Sequence, residues 1–231
     1  MRYNRIVEGI FLERPNRFIA KVEINGVVET VHVKNTGRCR ELLKPGVTVY
    51  LEESDNPDRK TKYDLVTVEK VRPELPTLLV NMDSQAPNQA AEEWLRKGLL
   101  FSKGAEIRRE VTYKASRFDF FIQDGERRIF LEVKGVTLEN QGQVSFPDAP
   151  TERGVKHIRE LISCMEEGYE AYLLFVIQMK GVNAFSPNDE NDPAFGIALR
   201  EAEQAGVKLL AMDCIIARDS MELDQPIPIV L

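Results

Sequence analysis

The sequence is poor in the residues that bind zinc or cross-link a chain. Its 231 residues include three cysteines and two histidines. Cys39, Cys164 and Cys214 lie far apart and form no Cys-x-x-Cys pair. An odd number of dispersed cysteines argues against a disulfide framework, and so few ligands argue against a zinc site. We therefore expect reduced, buried thiols.

The sequence also lacks a long apolar run. No segment approaches the roughly 20 apolar residues that a membrane-spanning helix requires. The first residues, MRYNRIVEGIFLERP, contain no apolar signal-peptide region. Hydrophobic residues make up 43% of the chain and charged residues 29%, which is typical of a globular protein. These features predict a cytoplasmic protein without a membrane partner.

An overall basic charge, which many nucleic-acid-binding proteins have, is absent: the formal net charge is −6. The charges are unevenly distributed, however. Residues 1–80 carry 14 basic and 12 acidic side chains, whereas residues 161–231 carry 4 basic and 12 acidic ones. Because the excess acid lies in the last third, a local basic surface in the first two thirds remains available to nucleic acid.

Residues 1–80 have the pattern of a small β domain. Asn25-Gly26 is a strong hairpin-turn signal between two alternating runs. A short helix is predicted at 38–44, and the prolines at 73 and 76 predict a linker after the last strand. Five short strands with one small helix are typical of a Greek-key barrel of the OB type. The predicted strands lie at 6–13, 18–24, 27–33, 47–52 and 63–71.

Residues 81–231 alternate between helical and strand patterns. Asn88 is predicted to cap one helix and Thr151 a second, and Gly206 to end a third. The apolar run at 171–178 predicts a central strand buried on both faces. The order αβββαβ followed by αβ is that of a PD-(D/E)xK nuclease core with one added unit. We therefore predict two domains, an N-terminal all-β OB-like barrel at 1–80 and a C-terminal α/β PD-(D/E)xK restriction-endonuclease-like domain at 81–231.

The segment 116–136, SRFDFFIQDGERRIFLEVKGV, contains the main candidate site. Side chains alternate along a strand, so Glu132 and Lys134 project to one side while Val133 points away. If Asp119 on the preceding strand faces the same side, two carboxylates and one ammonium meet. Asp119 and Glu132 would then bind Mg²⁺ or Mn²⁺, and Lys134 would orient or deprotonate the attacking water. The alternative is a solvated Glu-x-Lys pair on an exposed strand face.

A third carboxylate is expected from the helix that precedes these strands. Glu93 lies one residue before Trp94, beside the predicted buried stripe, and would complete a metal set with Asp119 and Glu132. The alternative is an exposed acid near the start of the helix, favoured there by the helix macrodipole.

Two further patches suggest nucleic-acid contacts. In FPDAPTERGVKHIREL, at 146–161, basic side chains gather around a helix start, where phosphates bind readily. In HVKNTGR, at 32–38, a polar turn follows a strand of the predicted barrel. The structural alternative for the patch at 146–161 is that His157 is a histidine bonded to a main-chain carbonyl at the edge of the core. The structural alternative for the patch at 32–38 is a turn that closes the barrel. The predicted nucleic-acid-binding residues are His32, Lys34, Asn35, Thr36, Arg38, Arg117, Arg153, Lys156 and His157.

At these segments the sequence resembles the sugar fermentation stimulation (SfsA) family over nearly its full length. The resemblance rests on RFIAKVEINGVVETVHVKNTGR, SRFDFFI, FLEVKGVTL, FPDAPTERGVKHIREL and AFSPN. It implies the same two domains, DNA binding without strong sequence preference and a regulatory role in sugar (maltose) metabolism. Asp119, Glu132 and Lys134 match the family's nuclease-like positions, and Glu93 matches its helical acid. Ala184 is a departure, since relatives usually carry arginine there.

Two function classes stay open at this stage. The chain is either a transcription regulator that only binds DNA, or a Mg²⁺- or Mn²⁺-dependent nuclease acting on DNA or RNA. A binder of oligosaccharides or small molecules is a weaker alternative, because aromatic residues make up 8% of the chain and include one tryptophan. The sequence leaves the oligomeric state open, a homodimer included.

Overall fold

The computed structural model describes residues 1–35 and 37–231, and these form fifteen strands and three helices. The first six strands make one sheet in the order β3-β2-β1-β4-β5-β6. Parallel pairing of β3 with β5, at His32 with Asp64 and Val33 with Leu65, closes five of the strands into a barrel. The strands are β1 Ile6–Asn16, β2 Ile19–Ile24, β3 Val27–Val33, β4 Thr48–Glu53, β5 Tyr63–Arg72 and β6 Leu75–Asn81.

The barrel forms because alternate side chains of its strands are apolar. On β2, Ala20, Val22 and Ile24 are buried inside while the residues between them are less buried. Asn25 and Gly26 both have positive φ, 51° and 79°, as a two-residue hairpin turn of type I′ requires. The predicted OB-like barrel is confirmed.

Two local predictions in this domain are wrong. The predicted linker at 73–76 is the turn of a hairpin in which Arg72 pairs with Leu75, and β6 extends the sheet beyond it. Glu74 turns the chain with a φ of 62°. The predicted helix at 38–44 is a series of turns, because Pro45-Gly46 follows too soon for a stable run of helical hydrogen bonds.

The second domain is built on a six-stranded mixed sheet with the order β15-β14-β12-β9-β8-β7. A smaller sheet, β10-β11-β13, lies beside it. This α/β arrangement confirms the predicted fold class. The elements are α1 Ala86–Arg96, β7 Glu106–Tyr113, β8 Ser116–Asp124, β9 Arg127–Val136, β10 Leu138–Asn140, β11 Gln143–Phe146, α2 Glu152–Glu166, β12 Glu170–Ile177, β13 Ala184–Pro187, α3 Pro193–Ala205, β14 Lys208–Ala217 and β15 Ser220–Pro226.

Helices cover both faces of the central sheet, so its middle strand is apolar throughout. All residues of β12 after Glu170 are buried, and β12 pairs in parallel with β9 and β14. Thr151 caps α2 by accepting a bond from the Gly154 N–H (3.0 Å), as predicted. Gly206 ends α3 with a φ of 95°. Within residues 1–35 and 37–231, no helix is long and apolar enough to cross a membrane.

Buried polar contacts join the two domains. The Glu139 carboxylate on β10 bonds both Lys70 and Arg72 of β5, and Arg72 lies 3.3 Å from its Oε1. Gln178, which follows β12, donates to the Asn81 carbonyl at the end of β6 (3.0 Å). These contacts hold the barrel against β10 and the end of β12 in the second domain.

Candidate active site and nucleic-acid interface

The two predicted catalytic acids lie side by side where a strand ladder ends. The regular register of β8 with β9 runs from Asp124–Arg127 to Phe120–Leu131, and Asp119 and Glu132 come next on the two strands. Asp119 Oδ2 accepts the main-chain N–H of Val133 (2.8 Å). The side chain of Asp119 therefore takes a donor of the neighbouring strand and is held next to Glu132.

Asp119 is half-buried, and its other oxygen is also held. Asn88 Nδ2, from α1, donates to Asp119 Oδ1 (2.7 Å). Asn88 was predicted to cap this helix, but α1 begins two residues earlier, at Ala86. Burial and the negative charge of Glu132 raise the pKa of Asp119 to about 6. The Asp119 carboxyl group therefore changes between its neutral and ionised forms at a pH close to 6.

Glu132 has one satisfied oxygen and one orphaned oxygen. Its Oε1 accepts bonds from Lys134 Nζ (2.6 Å) and His157 Nδ1 (2.5 Å). Burial opposes ionisation, but the charge of Lys134 and the bond from His157 outweigh it, so the pKa of Glu132 lies below its usual value. Glu132 Oε2 is buried without a hydrogen-bond partner. A buried anionic oxygen without a partner is costly unless a cation reaches it.

His157 connects this acid to the start of α2. Arg153 Nε donates to His157 Nε2 (3.4 Å), so the ring proton sits on Nδ1 and is donated to Glu132. The side chain of His157 is 6% exposed. The sequence placed His157 among nucleic-acid-binding residues, and the structure places it behind Glu132 as a residue that orients the carboxylate.

The predicted third acid is not brought to this pair. Glu93 Oε2 lies 2.6 Å from the amino group of Met1, and its side chain is 51% exposed. On α1 the residues that face the sheet include Trp94, so Glu93 is turned toward the N-terminal segment instead. Among the residues that the structure describes, no group of three or more His, Cys, Asp and Glu is arranged to hold a metal.

The other predicted residues at the start of α2 do come together. Arg117, Arg153, Lys156 and His157 line one cavity of about 400 Å³. Arg117 also pairs with Glu110 (3.3 Å), and Lys156 donates to the Ala115 carbonyl (2.8 Å). Arg117, Arg153 and Lys156 are thus exposed cations in the same cavity as His157, which bonds Glu132.

Most of the predicted patch at 32–38 has partners inside the protein. His32 Nδ1 lies 2.9 Å from Asp64 Oδ1, and Lys34 Nζ lies 3.2 Å from Asp83 Oδ2. Asn35 donates to the Met82 carbonyl (2.9 Å). Asp64 and Asp83 are buried, so hydrogen-bond partners are needed there. His32 is thereby held within the barrel, and Lys34 and Asn35 are held at the 82–83 segment. The prediction for Thr36 falls outside the described residues.

Among the described residues of that patch, Arg38 is the exposed cation that lines an open cavity, and the other arginines of this cavity were not predicted. A cavity of about 620 Å³ lies between the barrel and the 146–151 loop. The signal in the sequence that could have identified this cavity is the presence of basic residues on both sides of a turn. Such residues are common on protein surfaces, so the signal is weak. Four arginines line the cavity: Arg14, Arg17, Arg38 and Arg40.

The fold and the site define a class of protein in which an OB-type barrel is joined to an α/β domain with an Asp…Glu-x-Lys site. The family models agree with this division. The SfsA N-terminal OB domain matches residues 12–75, and the sugar fermentation stimulation protein RE domain matches residues 85–220. The chain belongs to the sugar fermentation stimulation protein family.

Relatives match it from end to end. A sugar fermentation stimulation protein homolog of Desulfitobacterium hafniense is 58% identical over 96% of this chain and 95% of its own length. A homolog of Clostridium beijerinckii is 52% identical over the full length of both chains. The solved structure of Pyrococcus furiosus SfsA in complex with Ca²⁺ covers 100% of this chain and 98% of that one, with a TM-score of 0.87 and 29% identity.

Proposed function

We propose that this protein binds DNA and hydrolyses phosphodiester bonds with a divalent cation held by Asp119 and Glu132. The observation that carries the proposal is Glu132 Oε2, a buried oxygen of an ionised carboxylate that has no partner and lies beside a second acid. Such an oxygen is a ready ligand for a hard cation. Burial and the neighbouring charge of Glu132 raise the pKa of Asp119 to about 6, as expected for two carboxyl groups at one site.

The residues present fit Mg²⁺ or Mn²⁺ better than a metal that needs a full protein cage. Magnesium is commonly held by one or two carboxylates and keeps several waters, so a site without a third acid suffices. We expect the carbonyl of Val133, which lies between Glu132 and Lys134 in the sequence, to supply a further oxygen ligand. The Pyrococcus furiosus relative was solved with Ca²⁺, which also prefers oxygen ligands.

The chemistry divides among the side chains. A bound cation would supply Lewis-acid stabilisation of the phosphate and make a water more acidic. Lys134, whose side chain is 13% exposed and 2.6 Å from Glu132, would orient the attacking water and offset charge on the phosphate. Asn88 fixes Asp119, and His157 fixes Glu132, so both carboxylates are preorganised.

The affinity for Mn²⁺ should rise steeply across pH 6. Below this pH, Asp119 is protonated and the cation must displace the proton; above it, the carboxylate is free, because the pKa of Asp119 is about 6. Titration calorimetry at pH 5 and pH 7.5 should show binding roughly tenfold tighter at the higher pH for one competing proton. Equal affinity at the two pH values would contradict a role for Asp119 as a ligand.

DNA binding should weaken with salt. Exposed cations that contact phosphates release counterions, so the logarithm of the affinity falls linearly with the logarithm of salt concentration. Fluorescence anisotropy with a labelled oligonucleotide at several NaCl concentrations measures the slope. Salt-independent binding would count against a phosphate-tracking surface.

A second function, regulation through DNA binding alone, is favoured by the absence of Glu93 from the acid pair. The relatives' name links them to sugar fermentation, and a regulator of sugar (maltose) genes needs binding without cleavage. Incubation of labelled single- and double-stranded DNA with Mn²⁺ or Mg²⁺ separates the two functions. Cation-dependent cleavage supports the nuclease, and binding without cleavage supports the regulator.

A further inference from the structure

The cavity of about 620 Å³ between the domains has a strongly basic wall. Arg17, Arg38 and Arg40 line it and are exposed. Within residues 1–35 and 37–231, none of these three side chains has an acidic partner within 4 Å. Asp148 is the one acid among the described lining residues. Most other exposed cations of this acidic protein have partners, so three arginines together without partners favour an anionic occupant.

Arg14 differs from these three arginines, because its side chain bonds to the main chain that surrounds the cavity. Its guanidinium donates to four main-chain carbonyls: those of Arg17, Asn35, Gly37 and Arg38. The segments that carry Arg17 and Arg38 are thereby tied together. The side chains of Arg17 and Arg38 therefore project from a main chain that Arg14 holds in place. This is the arrangement expected of a preorganised anion site.

A second cavity continues the first toward the active site. It measures about 200 Å³ and shares Gly37, Phe146 and Asp148 with the larger one. Its other end is lined by Pro87 and Gly135, the chain neighbours of Asn88 and Lys134. The two cavities therefore form a passage from the arginines of the barrel to the chain neighbours of Asn88 and Lys134, which bond Asp119 and Glu132.

The passage is closely packed at the two glycines that line its smaller cavity. A Cβ atom added at Gly135 would lie 2.7 Å from a Pro87 ring carbon, and one added at Gly37 would lie 2.7 Å from Asp148 Oδ2. Outside the passage, Phe18 next to Arg17 is 51% exposed, with the Arg17 guanidinium 6.0 Å from its ring. An exposed ring beside a guanidinium offers a stacking surface to an unpaired base.

We infer that the cleft formed by these two cavities binds a single strand of nucleic acid. The phosphates of the strand would contact Arg17, Arg38 and Arg40, and the strand would continue toward Asp119 and Glu132. The inference rests on the proposed function and specifies its substrate. A single strand can thread a concave passage and stack a base on Phe18, whereas the bases of a duplex are stacked inside a wide cylinder. The cleft is also distinct from the predicted patch at His32 and Lys34, whose side chains are held by acids.

The test is anisotropy of a fluorescein-labelled dT15 strand and of a 15-base-pair duplex, in EDTA so that cleavage plays no part. The Arg17→Ala/Arg38→Ala/Arg40→Ala variant should bind dT15 roughly 10- to 100-fold more weakly, with a salt slope lower by about 2. Phe18→Ala should bind about tenfold more weakly. The control variant Arg2→Ala/Arg200→Ala/Arg218→Ala removes the same charge from arginines outside both cavities and should bind as the wild type does.

Thermal unfolding should leave both triple variants near the wild-type midpoint, because five of the six side chains are exposed and Arg200 makes a surface ion pair with Asp189. Equal binding of dT15 by the wild type and by the Arg17→Ala/Arg38→Ala/Arg40→Ala variant would contradict the assignment of the cleft as the binding site. It would leave the proposed DNA binding intact. Tighter Arg-dependent binding of the duplex would overturn the single-strand assignment. Full competition by micromolar dTMP would show a mononucleotide pocket instead. No binding of either probe by the wild type would overturn both this inference and the proposed DNA binding.

Discussion

Replacement of Glu132 by alanine should reduce Mn²⁺-dependent cleavage of DNA by at least about 10³-fold, equivalent to roughly 4 kcal/mol of transition-state stabilisation. The variant removes the orphaned Oε2 and also the acceptor that holds Lys134 and His157. The cation and the lysine lose their positions together. Initial rates on a labelled single strand, at saturating Mn²⁺, measure the loss.

Glu126→Ala is the matched control for this experiment. Glu126 is an exposed glutamate in the β8–β9 turn of the same hairpin, so its loss changes the charge of the protein equally without touching the site. The control should cleave at the wild-type rate. Unchanged cleavage by Glu132→Ala would indicate a contaminating nuclease and contradict the assigned site.

Replacement of Glu139 by glutamine should lower the free energy of unfolding by about 3–5 kcal/mol. Glu139 is fully buried between Lys70 and Arg72, whose side chains are 11% and 8% exposed. Glutamine keeps the shape but leaves two buried cations without a counter-charge. Urea denaturation at pH 7 measures the difference.

The pH dependence of that difference has a definite sign. Burial opposes the charge of Glu139, but Lys70 and Arg72 outweigh it and lower its pKa below the usual 4.5. Its contribution is therefore complete above that value and is lost as the pH falls through the lower folded pKa. Glu222→Gln, at an exposed pair with Lys97, should cost at most about 1 kcal/mol. Equal effects of the two variants would contradict the assignment of Glu139 as a buried clamp.

The fold was predictable where short-range signals determine it. Strand β3 has the predicted bounds, because Asn25-Gly26 turns the chain directly before it. Helix α3 ends at Gly206 as predicted, because the positive φ there stops the helix. Strands β6, β10, β11, β13 and β15 were missed. They are short or lie at sheet edges, and β13 pairs with a segment some forty residues away, so only tertiary structure specifies them.

The site was predictable to the extent that it depends on strand alternation. Glu132 and Lys134 share a face and touch, as their spacing predicts. The contact of Asn88 with Asp119 joins residues 31 positions apart. Glu93 instead accepts a bond from the amino group of Met1, which lies 92 positions away in the sequence. Neither long-range contact has a counterpart in local periodicity, which explains why the helical acid was misplaced.

The most direct test of the account is a crystal structure of the protein soaked in Mn²⁺, with anomalous diffraction to locate the metal. We expect a peak within direct coordination distance of Glu132 Oε2 and the Asp119 carboxylate, absent in crystals of Glu132→Ala. A structure in which Mn²⁺ binds only elsewhere, with Glu132 Oε2 still without a partner, would contradict the assignment of these residues as a metal-dependent site.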